Sequence, residues 1–314
     1  MEQSTASAEE RAEPDVSSPD LIFIGGTGRS GTHVVARMLG QHSSYENVPN
    51  EVRFHVDPGG FPDLLAGRTT PGRFVKRLRG RWWREVILQR MTTKGLHRHV
   101  GREALDAAAE AFLRRYEAEP EAACRELFLT LLGPLAANAG KSGLIEQSCD
   151  NIAQAPTLVR LFPEAQFVHV VRDGRDAAAS RVAQARWLAR PRTMKQGLRW
   201  WEERMRRIDA GSRAIPEDRY IAISLDELID LRRLTTYKRL RRFLGLKQEP
   251  TMRGTFRREI GGGQGNVGRW RRKGGERFQA EVDTTYREIL AGFERDGING
   301  VRMLKRVLDG RAGS

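Results

Sequence analysis

One glycine-rich stretch near the N-terminus combines an arginine with two hydroxyl side chains in a pattern that suits anion binding. It reads GGTGRSGT, with Arg29, Ser30 and Thr32 between glycines, and apolar residues at helical spacing follow at once. Backbone amides in a turn that leads into a helix N-terminus form a concave anion site, which the helix dipole strengthens. Glycine permits the positive φ angles that such a turn needs. We therefore expect this turn to hold a phosphate or a similar anion.

The turn lacks the lysine of the phosphate-binding loop found in ATP- and GTP-hydrolysing proteins. When the pattern G-x-x-x-x-G-K-[ST] is placed on Gly26 and Gly31, Thr32 occupies the lysine position and His33 the hydroxyl position. Arg29 supplies a positive charge from inside the loop instead. On its own, the stretch is also compatible with a plain tight turn between a strand and a helix.

A second stretch, HVVRDGRDAAASRV, carries another cation and another hydroxyl group. Arg172 comes directly after a run of buried-strand type, and Ser180 follows eight residues later in an alanine-rich helix that begins near Asp176. Because ligands of open α/β sheets bind outside the carboxyl ends of the strands, we expect Arg172 and the first turn to face one crevice. Two separate anion sites in one crevice suit a nucleotide with phosphates at both ends. RDGRD alone would be interpreted as a helix-capping turn with a salt bridge.

Three buried strands are predicted to position these motifs. They cover residues 21–24, 166–171 and 219–224, and helical patterns lie between them. Strands separated by helices predict the α/β class, with a mostly parallel central sheet flanked by helices. No repeat or linker divides the chain, so we expect a disordered polar tail over residues 1–18 and a single domain over residues 19–314.

A basic segment at about residues 57–101 differs in character from the rest of the chain and contains two adjacent tryptophans, Trp82 and Trp83. We interpret it as an insertion over one face of the sheet, where it could form part of an acceptor site. The alternative is a solvated amphipathic helix whose tryptophans are anchored in the core.

Composition narrows the class of partner. The net charge of +14, from 54 basic and 40 acidic residues, fits a partner with phosphate, sulfate or carboxylate groups, nucleic acid included, although a solvated arginine-rich surface has the same balance. Cys124 and Cys149 are too few for a disulfide framework or a four-cysteine zinc site, and the histidines are scattered, so no metal is expected. No apolar run approaches the roughly 20 residues of a membrane helix, and the polar N-terminus does not resemble a signal peptide. We expect a cytoplasmic location.

Taken together, the two motifs resemble the sulfotransferase family that uses 3′-phosphoadenosine 5′-phosphosulfate (PAPS). GGTGRSGT is similar to the family's 5′-phosphosulfate loop, and VVRDGRDAAAS is similar to its 3′-phosphate element. A third stretch, GNVGRWRR at residues 265–272, is similar to the C-terminal segment that closes over the nucleotide. The resemblance covers about residues 20–275 and implies a P-loop-like sulfotransferase fold with PAPS as co-substrate. It accounts for the missing lysine, because no magnesium-bridged polyphosphate has to be held.

The resemblance implies a binding role for residues of all three motifs. The first motif would bind the 5′-phosphosulfate, the second would bind the 3′-phosphate, and the third would close the 3′ end. The implied nucleotide-binding residues are Gly28, Arg29, Ser30, Gly31, Thr32, His33, Arg172, Ser180, Gly268, Arg269, Trp270 and Arg271.

The chain departs from the family pattern at several positions. His33 stands where a second hydroxyl residue is frequent, and Gln147 stands where a lysine is common. Gly263 and Gln264 replace basic residues that often precede the C-terminal glycines. These differences concern the side chains that hold the bridging oxygen and the 3′-phosphate.

Sulfuryl transfer is an in-line displacement in which charge builds on the leaving phosphate and a proton leaves the attacking hydroxyl or amine. Donors aimed at the leaving group supply much of the rate, and Arg29 is placed for that task. In the branch of the family that acts on proteins and sugars, a glutamate in a place similar to Glu51 acts as general base, so Glu51 is the expected base. His55 is the second candidate because imidazole titrates near neutral pH, and Glu46 is the third. Glu51 could instead pair with Arg53 or another arginine.

Two other functions compete with this interpretation. A P-loop kinase or NTPase would need a lysine at Thr32 and a magnesium-binding carboxylate after the second strand, where Asp173 could serve. A basic nucleic-acid-binding module would fit the charge and the stretch KRLRGRWWR, but it gives no reason for two phosphate motifs on successive strands. We therefore expect no nucleic-acid partner.

The expected acceptor is a hydroxyl or amine on a small molecule, carbohydrate, lipid or peptide. The basic insertion, through Arg79, Arg81 and Arg84, would suit an anionic acceptor.

Overall fold

The computed structural model describes residues 19–84, 86–87, 90–91, 95–184, 191–260 and 267–312. The tail predicted over residues 1–18 lies outside these ranges. So do Gly263 and Gln264, together with the first two residues of the third motif, Gly265 and Asn266.

The centre of the fold is a five-stranded parallel sheet. Its strands are β1 (Asp20–Gly26), β2 (Tyr45–Asn47), β5 (Gly143–Glu146), β6 (Gln166–Val171) and β7 (Tyr220–Ser224), and a separate antiparallel pair consists of β3 (Val86–Ile87) and β4 (Arg90–Met91). The order across the sheet is β2-β5-β1-β6-β7, so β1 lies in the middle with β5 and β6 as its neighbours. With helices between the strands along the chain, this arrangement confirms the predicted α/β class.

Helices account for most of the remaining described residues. They are α1 (Thr32–Leu39), α2 (Phe61–Leu65), α3 (Pro71–Arg77), α4 (Arg102–Tyr116), α5 (Pro120–Asn138), α6 (Ala155–Leu161), α7 (Gly174–Gln184), α8 (Met194–Ser212), α9 (Arg233–Phe243), α10 (Pro250–Glu259), α11 (Glu276–Arg295) and α12 (Val301–Ala312). Within the described ranges, none of these helices is both long and apolar enough to cross a membrane.

The central strand is apolar without alternation because both faces of the sheet are covered. On one face, Phe23 packs against Phe167 of β6 and Phe128 of α5. On the other face, Ile24 belongs to a core cluster that includes Val35 of α1. This double packing fixes the end of β1, and with it the turn that follows.

The basic segment at residues 57–101 packs onto the helical core through its aromatic residues. Trp82 is 4% exposed, lies against Phe74, and donates its indole N–H to Asp57 at 3.2 Å. Arg79 pairs with Asp106 of α4 at 2.6 Å, and Arg81 reaches Asp57 at 3.9 Å. Part of the positive charge that the sequence suggested for an acceptor is therefore neutralised by nearby carboxylates.

Candidate active site

The first predicted anion turn joins β1 to α1 and adopts a left-handed backbone. The angle φ is 78° at Gly28, 60° at Arg29 and 90° at Gly31. Gly31 occupies the position before α1, and no side chain caps the helix there. The amides of the first helical turn therefore lack a side-chain acceptor, which is the arrangement that favours an anion at a helix N-terminus.

The two predicted anion motifs contact each other directly. Arg29 donates through Nε to the Ser180 hydroxyl at 3.0 Å, and Arg172 donates to the Arg29 backbone carbonyl at 2.7 Å. The cause lies in the sheet, where β1 and β6 pair in parallel with Gly26 opposite Val170. Both chains therefore leave the sheet at the same edge, and the two predicted phosphate elements lie on one side of one crevice.

The electrostatics of this junction favour an added anion. Loss of hydration and the neighbouring Arg172 lower the pKa of Arg29, and Arg181 and Arg269 act in the same direction, while Glu51 opposes them. The hydroxyl of Ser30 is buried and has no hydrogen-bond partner among the described residues. Several cations and a buried hydroxyl that lacks a partner fit an anionic ligand better than an empty loop.

A pocket of about 540 Å³ opens over the turn and reaches residues of six other segments of the chain. Its lining includes Arg29, Thr32 and His33 from the first motif and Arg172 from the second. Leu225, which follows β7, closes one side. None of its lining residues comes from the described part of the segment 57–101, which the sequence suggested as part of an acceptor site.

Glu51 lines this pocket and belongs to an ion-pair network centred on Arg53. Arg53 contacts Glu51 at 2.9 Å, Asp57 at 2.6 Å and Asp150 at 3.3 Å. The second carboxylate oxygen of Glu51 lies 3.6 Å from the imidazole of His33. The pairing with Arg53 that the sequence offered as an alternative to catalysis is therefore present, and it holds the carboxylate at the pocket wall.

The two other predicted base candidates lie elsewhere. His55 is fully buried among Phe23, Phe54 and Phe128, and its Nε2 is 3.0 Å from both Glu146 and Asn151. It does not line the pocket, because its ring faces the core side of the sheet end, and we do not retain it as a base.

Glu46 and Gln147 also lie outside the main pocket. Glu46 pairs with Lys141 at 2.8 Å. Gln147, at the position of the family lysine, is buried and donates to the Val48 carbonyl at 3.0 Å. Both line a separate, smaller cavity of about 370 Å³ instead.

The acids of the second motif are engaged by protein groups. Asp173 is fully buried, accepts from the Arg175 amide at 2.9 Å, and pairs with the Arg175 guanidinium at 2.6 Å. Asp176 accepts from the backbone amides of Gly268 at 2.8 Å and Trp270 at 3.3 Å. The second motif therefore anchors the C-terminal segment as well as facing the pocket.

The C-terminal segment places its two candidate arginines differently. Trp270 is buried, with the guanidinium of Arg175 4.9 Å from its ring centre. Arg271 lies over the same ring at 5.7 Å and is exposed. Arg269 lines a neighbouring cavity of about 680 Å³ and is close enough to Arg29 to lower the pKa of that arginine.

Sequence reasoning missed one wall of the pocket. It consists of Cys149 and Asp150 after β5, Arg181 near the end of α7, and Trp200 and Arg204 on α8. Burial raises the pKa of the Cys149 thiol to about 12, so this thiol is protonated at neutral pH and is not a nucleophile there. A signal was present, because Trp200 and Arg204 are four residues apart and so share a helix face.

Metal ligands do not cluster in the part of the chain that the structure describes, where no group of three or more His, Cys, Asp or Glu side chains could hold an ion.

Comparison with known proteins places these features in context. The family model described as "Sulfotransferase family" matches residues 19–250. The sulfotransferase domain from the olefin synthase of Synechococcus PCC 7002 is similar in structure, with 17% identity, 89% of this chain and 91% of that chain covered, and a TM-score of 0.48. The mouse sulfotransferase SULT7A1 complexed with PAP is also similar in structure, with 13% identity, 91% of this chain and 88% of that chain covered, and a TM-score of 0.47. Sulfotransferase STF1 from Mycobacterium tuberculosis has 18% identity, with 77% of this chain and 72% of that chain covered, and a TM-score of 0.46. No curated protein matches the chain.

Proposed function

Because this chain belongs to the sulfotransferase family, we propose that it transfers a sulfuryl group from PAPS to a hydroxyl or amine of an acceptor. The observation that carries the proposal is the junction of the two anion motifs, in which Arg29 contacts Ser180 and Arg172 contacts the Arg29 carbonyl. A nucleotide with phosphate groups at both ends needs two such elements at one crevice.

The residues present fit this donor. The uncapped N-terminus of α1, Arg29 and the buried hydroxyl of Ser30 would hold the 5′-phosphosulfate. Arg172 and Ser180 would hold the 3′-phosphate, and residues 268–271 would close over it, anchored by Asp176. When bound, PAPS would supply the sulfuryl group, and Arg29 would stabilise the charge that builds on the leaving phosphate.

Glu51 is our proposed general base. It lines the pocket that contains Arg29, and its charge acts on the Arg29 guanidinium. Arg53 fixes one of its carboxylate oxygens at 2.9 Å. A carboxylate held in this way can accept the proton that leaves the attacking hydroxyl or amine, a task that contributes about 10²- to 10⁴-fold to rates.

A phosphotransferase fits the site less well. Its magnesium would need the carboxylate that follows β6, and Asp173 is buried and paired with Arg175. A nucleic-acid-binding module gives no role to the contact between Arg29 and Ser180. The single domain over residues 19–314 and the cytoplasmic location stay predictions.

The first test is calorimetric titration of the protein with 3′-phosphoadenosine 5′-phosphate (PAP), the product nucleotide, in the absence of magnesium. We expect wild type to bind, and Arg29→Ala and Arg172→Ala each to weaken binding by about tenfold or more, because each removes hydrogen bonds to a charged group. Arg114→Ala, which changes an exposed arginine on α4, is the matched control and should bind like wild type.

Two results would count against the proposal. One is an absence of PAP binding by wild type. The other is binding of ATP or GTP that depends on added magnesium, which would favour the phosphotransferase.

A further inference from the structure

The wall that sequence reasoning missed lies directly beside the proposed sulfuryl loop. A Cβ placed on Gly28 would lie 3.8 Å from the Trp200 ring and 4.0 Å from the Cys149 sulfur. The same wall adjoins the proposed base, because Arg53 contacts both Glu51 at 2.9 Å and the Cys149 sulfur at 3.6 Å. A molecule resting on this wall would therefore be close to both the donor loop and Glu51.

Arg181 is the unusual member of this wall. Its guanidinium lies over the Trp200 ring at 5.4 Å, and its Nε is buried without a hydrogen-bond partner. Across the described ranges, no carboxylate pairs with it. Loss of hydration lowers the pKa of Arg181, and the nearby Arg204 lowers it further. Holding such a cation next to a second one is unfavourable unless an anion joins them.

The carboxylates near Arg181 are already shared among other arginines. Asp150 pairs with Arg204 at 2.7 Å and with Arg53 at 3.3 Å. Arg53 in turn holds Glu51 and Asp57. The wall itself contains two arginines, Arg181 and Arg204, and one carboxylate, Asp150, so it carries one positive charge in excess.

The arginines of the basic segment at residues 57–101, where the sequence suggested an anionic acceptor, are in a different environment. There, Arg79 pairs with Asp106 at 2.6 Å, and Arg81 lies 3.9 Å from Asp57. Arg79 is half-buried and Arg81 is exposed, both lie close to carboxylates, and neither belongs to the described lining of the pocket.

We infer that Arg181 and Arg204, together with the Trp200 ring, form a subsite for an anionic group on the acceptor. The group would be a carboxylate, sulfate or phosphate, carried by an acceptor whose hydroxyl or amine faces Glu51. This inference rests on the proposed function and adds the acceptor class to it. The donor has its own cations in Arg29 and Arg172, which leaves Arg181 and Arg204 to the acceptor.

The test uses two probes that differ by one charge, 4-hydroxybenzoate and its neutral isostere 4-hydroxybenzamide. Each is titrated calorimetrically into protein saturated with PAP, which occupies the donor site. We expect wild type to bind the carboxylate at least about tenfold more tightly than the amide, because a hydrogen-bonded charge pair is formed. Arg181→Gln and Arg204→Gln should each reduce that preference to about threefold or less. Turnover of both probes with PAPS should show the same ratio in kcat/KM.

Two controls separate this inference from the proposed function. PAP affinity should change less than about threefold in Arg204→Gln, and Arg207→Gln, which changes an exposed arginine on the same helix as Arg204, should keep the wild-type preference. Equal affinity for the two probes, affinity for neither, or an unchanged preference in both variants would overturn the acceptor subsite while PAP binding stands. Loss of PAP binding in wild type would reject the proposed function itself.

Discussion

Arg53 is the residue on which the geometry of the proposed base depends. It is one of two described non-glycine residues with positive φ, at 62°, and the other, Arg29, is in the donor loop. Holding a non-glycine residue in this left-handed backbone conformation costs about 1 kcal/mol or more, which surrounding contacts must offset. Three carboxylates supply those contacts. We interpret Arg53 as a positioning residue that acts through Glu51.

The role of Glu51 can be separated from donor binding. Glu51→Gln keeps the size of the side chain but cannot accept the proton, so we expect kcat to fall by about 10²- to 10⁴-fold. PAP affinity should stay within about threefold of wild type in the calorimetric titration. Glu46→Gln, which changes a carboxylate outside the pocket, is the control. A kcat in Glu51→Gln within threefold of wild type would remove Glu51 from the reaction.

Arg53 should affect kcat more than acceptor binding. Arg53→Gln releases one oxygen of Glu51, and we expect kcat to fall by about tenfold while KM for the acceptor changes less. Arg53→Lys should restore part of the loss, since an ammonium can hold one carboxylate but lacks the planar fork that joins several. Steady-state kinetics of both variants, on protein with the wild-type circular dichroism spectrum, make the comparison. Equal losses in the two variants would indicate a purely structural role.

At the scale of elements, long strands and motifs at strand ends were predictable from the sequence, and short strands were not. The predicted strand at residues 166–171 coincides with β6, and the strand predicted at 21–24 lies within β1. Strands β2 and β5 have only three and four residues, too few to show a period. Both anion motifs meet because parallel strands end at one edge, a rule that needs no side-chain detail.

The wall with Arg181 was not predictable for a different physical reason. Its members come from the end of β5, from α7 and from α8, and the packing of α7 against α8 brings Arg181 next to Trp200 and Arg204. Helical spacing indicated that Trp200 and Arg204 share a face, but not which neighbour that face meets. His55 illustrates the converse, because its residue type suits a base while tertiary packing encloses it.

Asp176 links α7 to the C-terminal segment and should give stability a particular pH dependence. Burial and the neighbouring Asp173 raise the pKa of Asp176 from 3.8 to about 6. An acid whose pKa is raised on folding stabilises the fold fully below its unfolded value, and the contribution is lost as pH rises through the folded value. The relevant window is therefore about pH 4 to 6.

Asp176→Asn removes this titration and tests the link. Relative to wild type, the free energy of unfolding of the variant should rise with pH across that window by up to about 3 kcal/mol, since one pKa unit corresponds to about 1.4 kcal/mol. Urea unfolding of both proteins between pH 4 and 7 gives the difference. For the control Asp218→Asn, which changes an exposed residue in a turn, the free energy of unfolding should depend on pH as it does in wild type. If the free energy of unfolding of Asp176→Asn also followed the wild-type pH dependence, Asp176 would not titrate in this range.

At the scale of the whole molecule, the net charge of +14 is unevenly distributed. Many surface arginines pair with nearby acids, such as Arg115 with Glu119 at 2.6 Å and Arg206 with Asp296 at 2.7 Å. Around the pocket, Arg29 and Arg181 lie close to other cations instead. The excess charge therefore includes cations at the site proposed to take anions, where it also steers charged ligands towards the crevice.

Contacts between distant parts of the chain lead us to predict that the described residues unfold as one cooperative unit. Arg175, just after β6, pairs with Asp173 and with Asp283 of α11, and its guanidinium lies 4.6 Å from the Tyr286 ring centre. Differential scanning calorimetry should then show one unfolding transition. PAP at about a hundredfold over its Kd should raise the midpoint of the whole transition by about 4 °C, from about 2.7 kcal/mol of binding linkage. Arg29→Ala should abolish most of that shift at the same PAP concentration. Two transitions, with only one moved by PAP, would mean that the C-terminal helices fold separately from the donor site.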